Sequence, residues 1–196
     1  MNKYILYQSY RRKSLKISGS QTEKNLYKTF AGESRARGKY NLFSEKARAE
    51  GYMWVAQVFD ETAENEFAHS REAYKRFLDN VRDTEENLLN AACAEFEETE
   101  RIYKEFEEVA KKEGFEEIAT FYRELREVEE SHKERFLFLS ELLKNKQMFK
   151  SDCKRLWKCL NCGYIHEGYE APIVCPLCKY ERGYFRQESE LKKCEG

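Results

Sequence analysis

Proline is nearly absent from this chain: of its 196 residues only Pro172 and Pro176 are proline, so nothing of that kind interrupts the first 170 positions. Glycine is also sparse, at nine residues. Together these shortages favour long helices over a turn-rich β architecture. An excess of basic charge is missing too, with 35 Lys and Arg against 36 Asp and Glu, which gives no footprint for nucleic acid or an anionic membrane surface. Long apolar runs are lacking. The N-terminal "MNKYILYQSYRRKSLK" offers only Ile5, Leu6 and Tyr7 in succession, too short for a signal-peptide core, and no later stretch reaches the roughly 18 apolar residues of a membrane span. The cytoplasm is the expected address.

Charge of both signs is abundant, at 36% of residues, and it follows a helical rhythm. Ser20-Gln21-Thr22-Glu23 fits a capping box, predicting a first helix to about Gly51. Further helices are predicted over about 52–79, from Thr84 to near Gly114, and from Phe115 to about Lys146. Four helices of similar length imply a bundle. In the last of them Ile118, Tyr122, Leu125, Glu129, His132, Phe136, Leu139 and Leu143 recur at steps of three and four, forming one stripe with two ionisable members.

Every helix carries such a carboxylate in its apolar stripe: Glu33, Glu66, Glu95 and Glu129. Glu33 and Glu66 are 33 positions apart and Glu95 and Glu129 are 34, and each second member continues as Glu-x-x-His, giving Glu66 with His69 and Glu129 with His132. This is an internal repeat. Glu98 lies one turn beyond Glu95 on the inward face, whereas the equivalent position in the first half is Ala36; Glu97 and Glu100 fall to the flanks. Ionised carboxylates in a bundle interior need a counter-charge, and no Lys or Arg lies on these stripes near them, since Arg37 and Arg71 are off-centre. Two divalent cations meet that need, and one Glu from each of two helices plus Glu-x-x-His from the other two is the arrangement of di-iron and di-manganese bundles. The spacing works because positions i and i+3 share a helical face. Tyr40 and Tyr103, seven and eight residues beyond Glu33 and Glu95, lie on the same faces; they either donate hydrogen bonds to ligand carboxylates or serve as core aromatics.

After about Lys146 the helical stripe ends. Residues 147–156 read as a linker, and 157–196 as a small domain with too few residues for an independent apolar core, for which a metal is the expected staple. Cys159, Cys162, Cys175 and Cys178 form two Cys-x-x-Cys pairs twelve residues apart, a spacing that serves a single iron or zinc. Cys93, Cys153 and Cys194 have no partner at ligand spacing and read as ordinary thiols, and His166 reads as a loop residue.

In order, "FAGESRARGKYNLF", "ETAENEFAH", the Glu95-x-x-Glu98 element, "EESHKERF" and "CLNCGYIHEG…APIVCPLC" resemble the rubrerythrin family over about residues 13–187. That resemblance implies a mainly α chain: an N-terminal extension over 1–19, a ferritin-like di-iron four-helix bundle over 20–146, and a rubredoxin-like iron domain at the C-terminus. It further implies reduction of hydrogen peroxide to water, with electrons relayed through the Fe(Cys)4 centre from an external rubredoxin or an NAD(P)H-dependent reductase. Carried over by position, the di-iron ligands are Glu33, Glu66, Glu95, Glu98, Glu129 and His132, with His69 replacing Glu98 on one iron in the reduced state. The alternative activity is that of a ferroxidase or iron-binding protein. One departure concerns topology, because the connection between the second and third helices is very short. Either the bundle is a simple up-down-up-down one, or a homodimer exchanges helix pairs.

Overall fold

The computed structural model describes residues 17–188. They are mainly helical, with four long helical stretches and a small C-terminal sheet. Two compact units divide the chain, the first ending at Arg82 and the second starting at Asp83. No helix among the described residues is long and apolar enough to cross a membrane.

The first unit is a helical hairpin. Helix α1 (Gln21–Ala49) starts where the Ser20 hydroxyl accepts the Glu23 N–H at 3.1 Å, while Glu23 Oε2 reaches back to the Gly19 N–H at 2.7 Å. It stops at Gly51, whose φ of 85° only glycine adopts without cost, and the Tyr52 N–H returns to the Ala47 carbonyl. Helix α2 (Met53–Arg71) follows and ends in a π-helical turn over Glu72–Phe77. The seam between α1 and α2 is made of small residues: Ala56, Ala63 and Ser70, seven apart on α2, are all buried. Buried Ser44 donates to the Ala56 carbonyl and accepts from Arg48, which also pairs with Asp60.

The helical part of the second unit repeats this plan. Helix α3 (Thr84–Glu97) is capped by Asp83, which accepts the Glu86 N–H at 3.0 Å. A π-helical turn over Glu98–Ile102 leads into α4 (Tyr103–Lys112). Gly114, at φ 83°, makes the same reversal as Gly51, with the Phe115 N–H on the Ala110 carbonyl, and α5 (Glu116–Lys144) returns along α3 and α4. Even the aromatic packing is duplicated. Tyr40, Phe43 and Phe59 sit at centroid distances of 6.3, 6.2 and 5.6 Å, and Tyr103, Phe106 and Tyr122 at 6.2, 6.0 and 5.4 Å, with matching tilts.

The C-terminal sheet has the order β2-β1-β3, all antiparallel, from β1 (Lys150–Cys159), β2 (Ile165–Glu170) and β3 (Phe185–Gln187). Strand β1 begins inside the segment expected to be a linker. His166 is likewise a strand residue, paired with Trp157, rather than a loop residue; the strand places its ring so close to Gly168 that a Cβ there would lie 2.8 Å from Nε2. Trp157, Cys159, Ala171, Cys175 and Phe185 form the core, and the Trp157 indole donates to the Gly168 carbonyl at 2.9 Å. Two cysteines of a five-residue core are also candidate metal ligands, as expected for so small a domain.

Candidate metal centres

Each helical hairpin gathers one Glu, Glu, His set. In the first, donor atoms of Glu33, Glu66 and His69 lie within 4.8 Å of one another; in the second, those of Glu95, Glu129 and His132 do. The i, i+3 spacing turns His69 Nδ1 to 2.9 Å from Glu66 and 3.9 Å from Glu33, and His132 Nδ1 to 2.7 Å from Glu129 and 3.9 Å from Glu95. The four carboxylates are half-buried, while both imidazoles are exposed. Glu98 is half-buried beside the second set, and Glu97 and Glu100 are exposed.

These carboxylates crowd one another. The Glu33 carboxyl is pushed up by a hydrogen bond to Glu66, then by burial, while Glu66 is held down by accepting from Glu33 and His69. Burial raises Glu95, and the negative charge of Glu129 raises it further. Clustered carboxylates competing for protons, with an imidazole turned toward them, form a donor set suited to hard-to-borderline cations such as iron.

The two tyrosines differ. The Tyr103 hydroxyl is hydrogen-bonded to Glu98, and burial together with that partner pushes it up to about 12. Tyr40 lies among Phe43 and Phe59 as a packed aromatic.

The cysteine domain brings Cys159, Cys162, Cys175 and Cys178 together, with sulfurs 3.7 Å apart across the pairs Cys159–Cys178 and Cys162–Cys175. A tetrahedral ion with metal–sulfur bonds of about 2.3 Å spans sulfur–sulfur edges of about 3.8 Å, so the residues fit one tetrathiolate ion. Each knuckle turns through a left-handed residue, Gly163 at φ 78° and Lys179 at φ 64°, which aims a following amide at sulfur. The Tyr164 N–H favours the Cys162 thiolate, but burial and the three neighbouring sulfurs override it and push the thiol up to about 12. Cys178 receives the Asn161 side chain and the Tyr180 N–H and falls to about 6. The four sulfurs thus compete over ionisation, a tension that a bound cation relieves.

Cys93 is an exposed free thiol as expected, and Cys194 lies outside the described residues. Cys153 is not an ordinary thiol: it is disulfide-bonded. Ligand spacing excluded it from a metal set but carries no information on disulfides, which need only Cβ atoms brought close by the fold.

Sequence reasoning also missed the π-helical turn at Glu98–Ile102 and the residue facing it, Arg126. The signal was there in the spacing, since Glu33 to Tyr40 is seven residues and Glu95 to Tyr103 is eight. An extra residue in an otherwise equivalent helix is what a π turn absorbs.

Comparison with known proteins matches residues 24–140 to the family model "Rubrerythrin" and residues 157–186 to "Rubrerythrin, rubredoxin-like domain". The chain is 41% identical to the rubrerythrin of Clostridium perfringens, over 88% of this chain and 96% of the relative. It is 38% identical to the rubrerythrin of Nitratidesulfovibrio vulgaris, with the same coverages. At 39% identity it also matches the rubrerythrin of Porphyromonas gingivalis, over 86% of this chain and 90% of that one. The donor sets fit the two bundle irons and the one Fe(Cys)4 centre that such a chain calls for, with zinc as a possible substitute at the cysteines.

Proposed function

Because this chain belongs to the rubrerythrin family, we propose that it is a non-haem di-iron peroxidase that reduces hydrogen peroxide to water in defence against oxidative stress. The observation that carries this reading is the presence, on one chain, of two Glu, Glu, His clusters and a tetrathiolate cluster. An iron store needs only the former; electron return needs the latter. Bound ferrous iron would supply the two electrons that, with two protons, convert one peroxide into two waters.

In this reading Glu33, Glu66, Glu95, Glu98, Glu129, His132 and His69 hold the pair of irons, and Cys159, Cys162, Cys175 and Cys178 hold the third. Carboxylates favour the ferric state and a neutral imidazole suits the ferrous one, so Glu98 and His69 would serve as alternative ligands to one iron in the two states. Tyr103 stays protonated at neutral pH and donates to Glu98, steadying it when it is displaced. Tyr40 fills the equivalent position in the first hairpin. Electrons enter at the cysteine domain from a rubredoxin or an NAD(P)H-dependent reductase in the cytoplasm.

The bundle over 20–146 is completed by a second copy in this proposal. In the ferritin-like order the second and third helices run parallel, so their connection must travel back the combined length from Glu66 to Phe77 and from Thr84 to Glu95, about 33 Å at 1.5 Å per residue. Residues 78–83 span at most about 22 Å. A homodimer that exchanges hairpins resolves the mismatch and still joins both ligand sets.

The test is anaerobic reduction of the iron-loaded protein followed by one equivalent of peroxide. Fast oxidation by two electrons per peroxide, with the Fe(Cys)4 centre then refilling the bundle, supports the proposal. Slow reaction with growth of a ferric mineral would instead favour the ferroxidase reading.

A further inference from the structure

The two hairpins correspond closely, but each carries its π turn in a different place: the first at Glu72–Phe77 in its second helix, the second at Glu98–Ile102 in its first. Helix α1 is uninterrupted through Tyr40, but the equivalent helix of the second hairpin has its π turn at Glu98–Ile102. There the Tyr103 N–H donates to the Glu98 carbonyl, five residues back. In an α-helix it would donate to Thr99, so the π turn strips Thr99 O of its helical partner. Thr99 is buried, and a buried carbonyl without a donor is costly.

Arg126 supplies that donor. Its Nε lies 3.0 Å from the Thr99 carbonyl oxygen, and its Nη1 donates to buried Glu107 at 3.1 Å, with Lys111 on the other oxygen of that carboxylate at 2.5 Å. Glu107 is one turn beyond Tyr103, so the guanidinium bridges main chain before Tyr103 and side chain after it. The planar fork of donors on arginine is pre-organised to serve both at once. Arg126 also precedes Glu129 by three residues on the same face of α5. The position equivalent to Arg126 in the first hairpin is Ala63, 63 residues earlier, just as Tyr40 corresponds to Tyr103 and Glu66 to Glu129. The hairpin with no π turn in its first helix has alanine there, and the hairpin with the turn has arginine.

The turn has a direct effect on the site. On an α-helix residues five apart are about 140° apart around the axis, so Glu98 and Tyr103 could not meet. An i to i+5 bond stacks them, and the Tyr103 hydroxyl is hydrogen-bonded to Glu98. We propose that Arg126 is a positioning residue that holds the π turn in place and so aims Glu98 and Tyr103 at the metal site. The inference rests on the reading of Glu98 as a ligand for its consequence, but not for the main-chain geometry.

The test is a crystal structure and a Co(II) titration of the full-length Arg126→Ala protein, which puts at this position the residue the first hairpin already tolerates. The Arg126→Ala/Glu107→Ala pair serves if buried Glu107, left with Lys111 as its one cation, prevents folding. The expected result is that Glu98 O no longer accepts from the Tyr103 N–H, the Tyr103 hydroxyl leaves Glu98, and Co(II) affinity falls about tenfold or more, the usual effect of losing an outer support of a ligand. A Tyr103 N–H that stays on Glu98 O would overturn the proposal. So would unchanged Co(II) affinity when Glu98→Ala lowers it. If Glu98→Ala also leaves the affinity unchanged, the ligand reading fails, and the main-chain result alone decides the role of Arg126.

Discussion

His132 Nδ1 lies 2.7 Å from Glu129 Oε2, and His69 Nδ1 stands 2.9 Å from Glu66 Oε2 in the same relation in the other hairpin. Both imidazoles thus turn one nitrogen toward a carboxylate pair, the geometry from which a metal ion takes its ligands. The two halves should not respond alike to losing it. His69→Ala is expected to keep most ferric iron if, as proposed, Glu98 takes its place as a ligand, yet to slow peroxide reduction; His132→Ala, with no such substitute, is expected to lose iron. Iron content by elemental analysis alongside peroxide kinetics separates the two. Equal iron loss in both variants would show that Glu98 does not take the place of His69.

Protons compete with metal at these carboxylates. Glu95 is raised by burial and by Glu129, and Glu33 by its bond to Glu66, so both retain protons to higher pH than ordinary glutamates. A raised acid must release its proton before it can ligate. Co(II) affinity at the bundle should therefore go on rising with pH above the range in which ordinary glutamates have ionised, with proton release on binding. Calorimetry in buffers of different ionisation heat reads that release directly. PH-independent binding without proton release would contradict it.

The family motifs, the helix boundaries and the cysteine pairs were legible from the sequence because each rests on local periodicity: a stripe every three or four residues, a Ser20 cap, a fixed Cys-x-x-Cys spacing. What was not legible depends on contacts between elements. Arg126 lies seven residues from buried Ala119 in the seam, but nothing in its own helix says that its guanidinium meets Thr99 and Glu107 on the neighbouring one. The bonded state of Cys153 is likewise not written in its local spacing. Strand β1 was hidden because much of its inward face is polar, with half-buried Ser151 and Arg155 alternating with exposed Asp152 and Lys154, rather than apolar.

Trp157 is fully buried against Cys159 and Cys175. Trp157→Ala should remove about 3–5 kcal/mol of stability from the cysteine domain. A domain this small cannot spare that amount. The visible absorption of its iron centre is expected to disappear while the helical circular dichroism of the hairpins persists. Retention of the iron chromophore would show that the four sulfurs hold the domain without its aromatic core.

Cys175→Ser should abolish steady-state turnover with an external donor while leaving one peroxide reduction by prereduced bundle iron. Stopped-flow spectroscopy distinguishes the single event from the cycle. Normal cycling would remove the cysteine centre from the electron path.

The central claim is that a peroxide-reducing centre forms when the Glu33, Glu66 and His69 hairpin of one chain meets the Glu95, Glu98, Glu129 and His132 hairpin of another. Co-refolding a Glu33→Ala chain with a Glu129→Ala chain tests it most directly, because an exchanged heterodimer must contain one bundle with every ligand intact and one with both defects. The account predicts that peroxide reduction, absent from either variant alone, returns to about half the native level per heterodimer. Heterodimers confirmed by mass and loaded with iron that show no activity would contradict it.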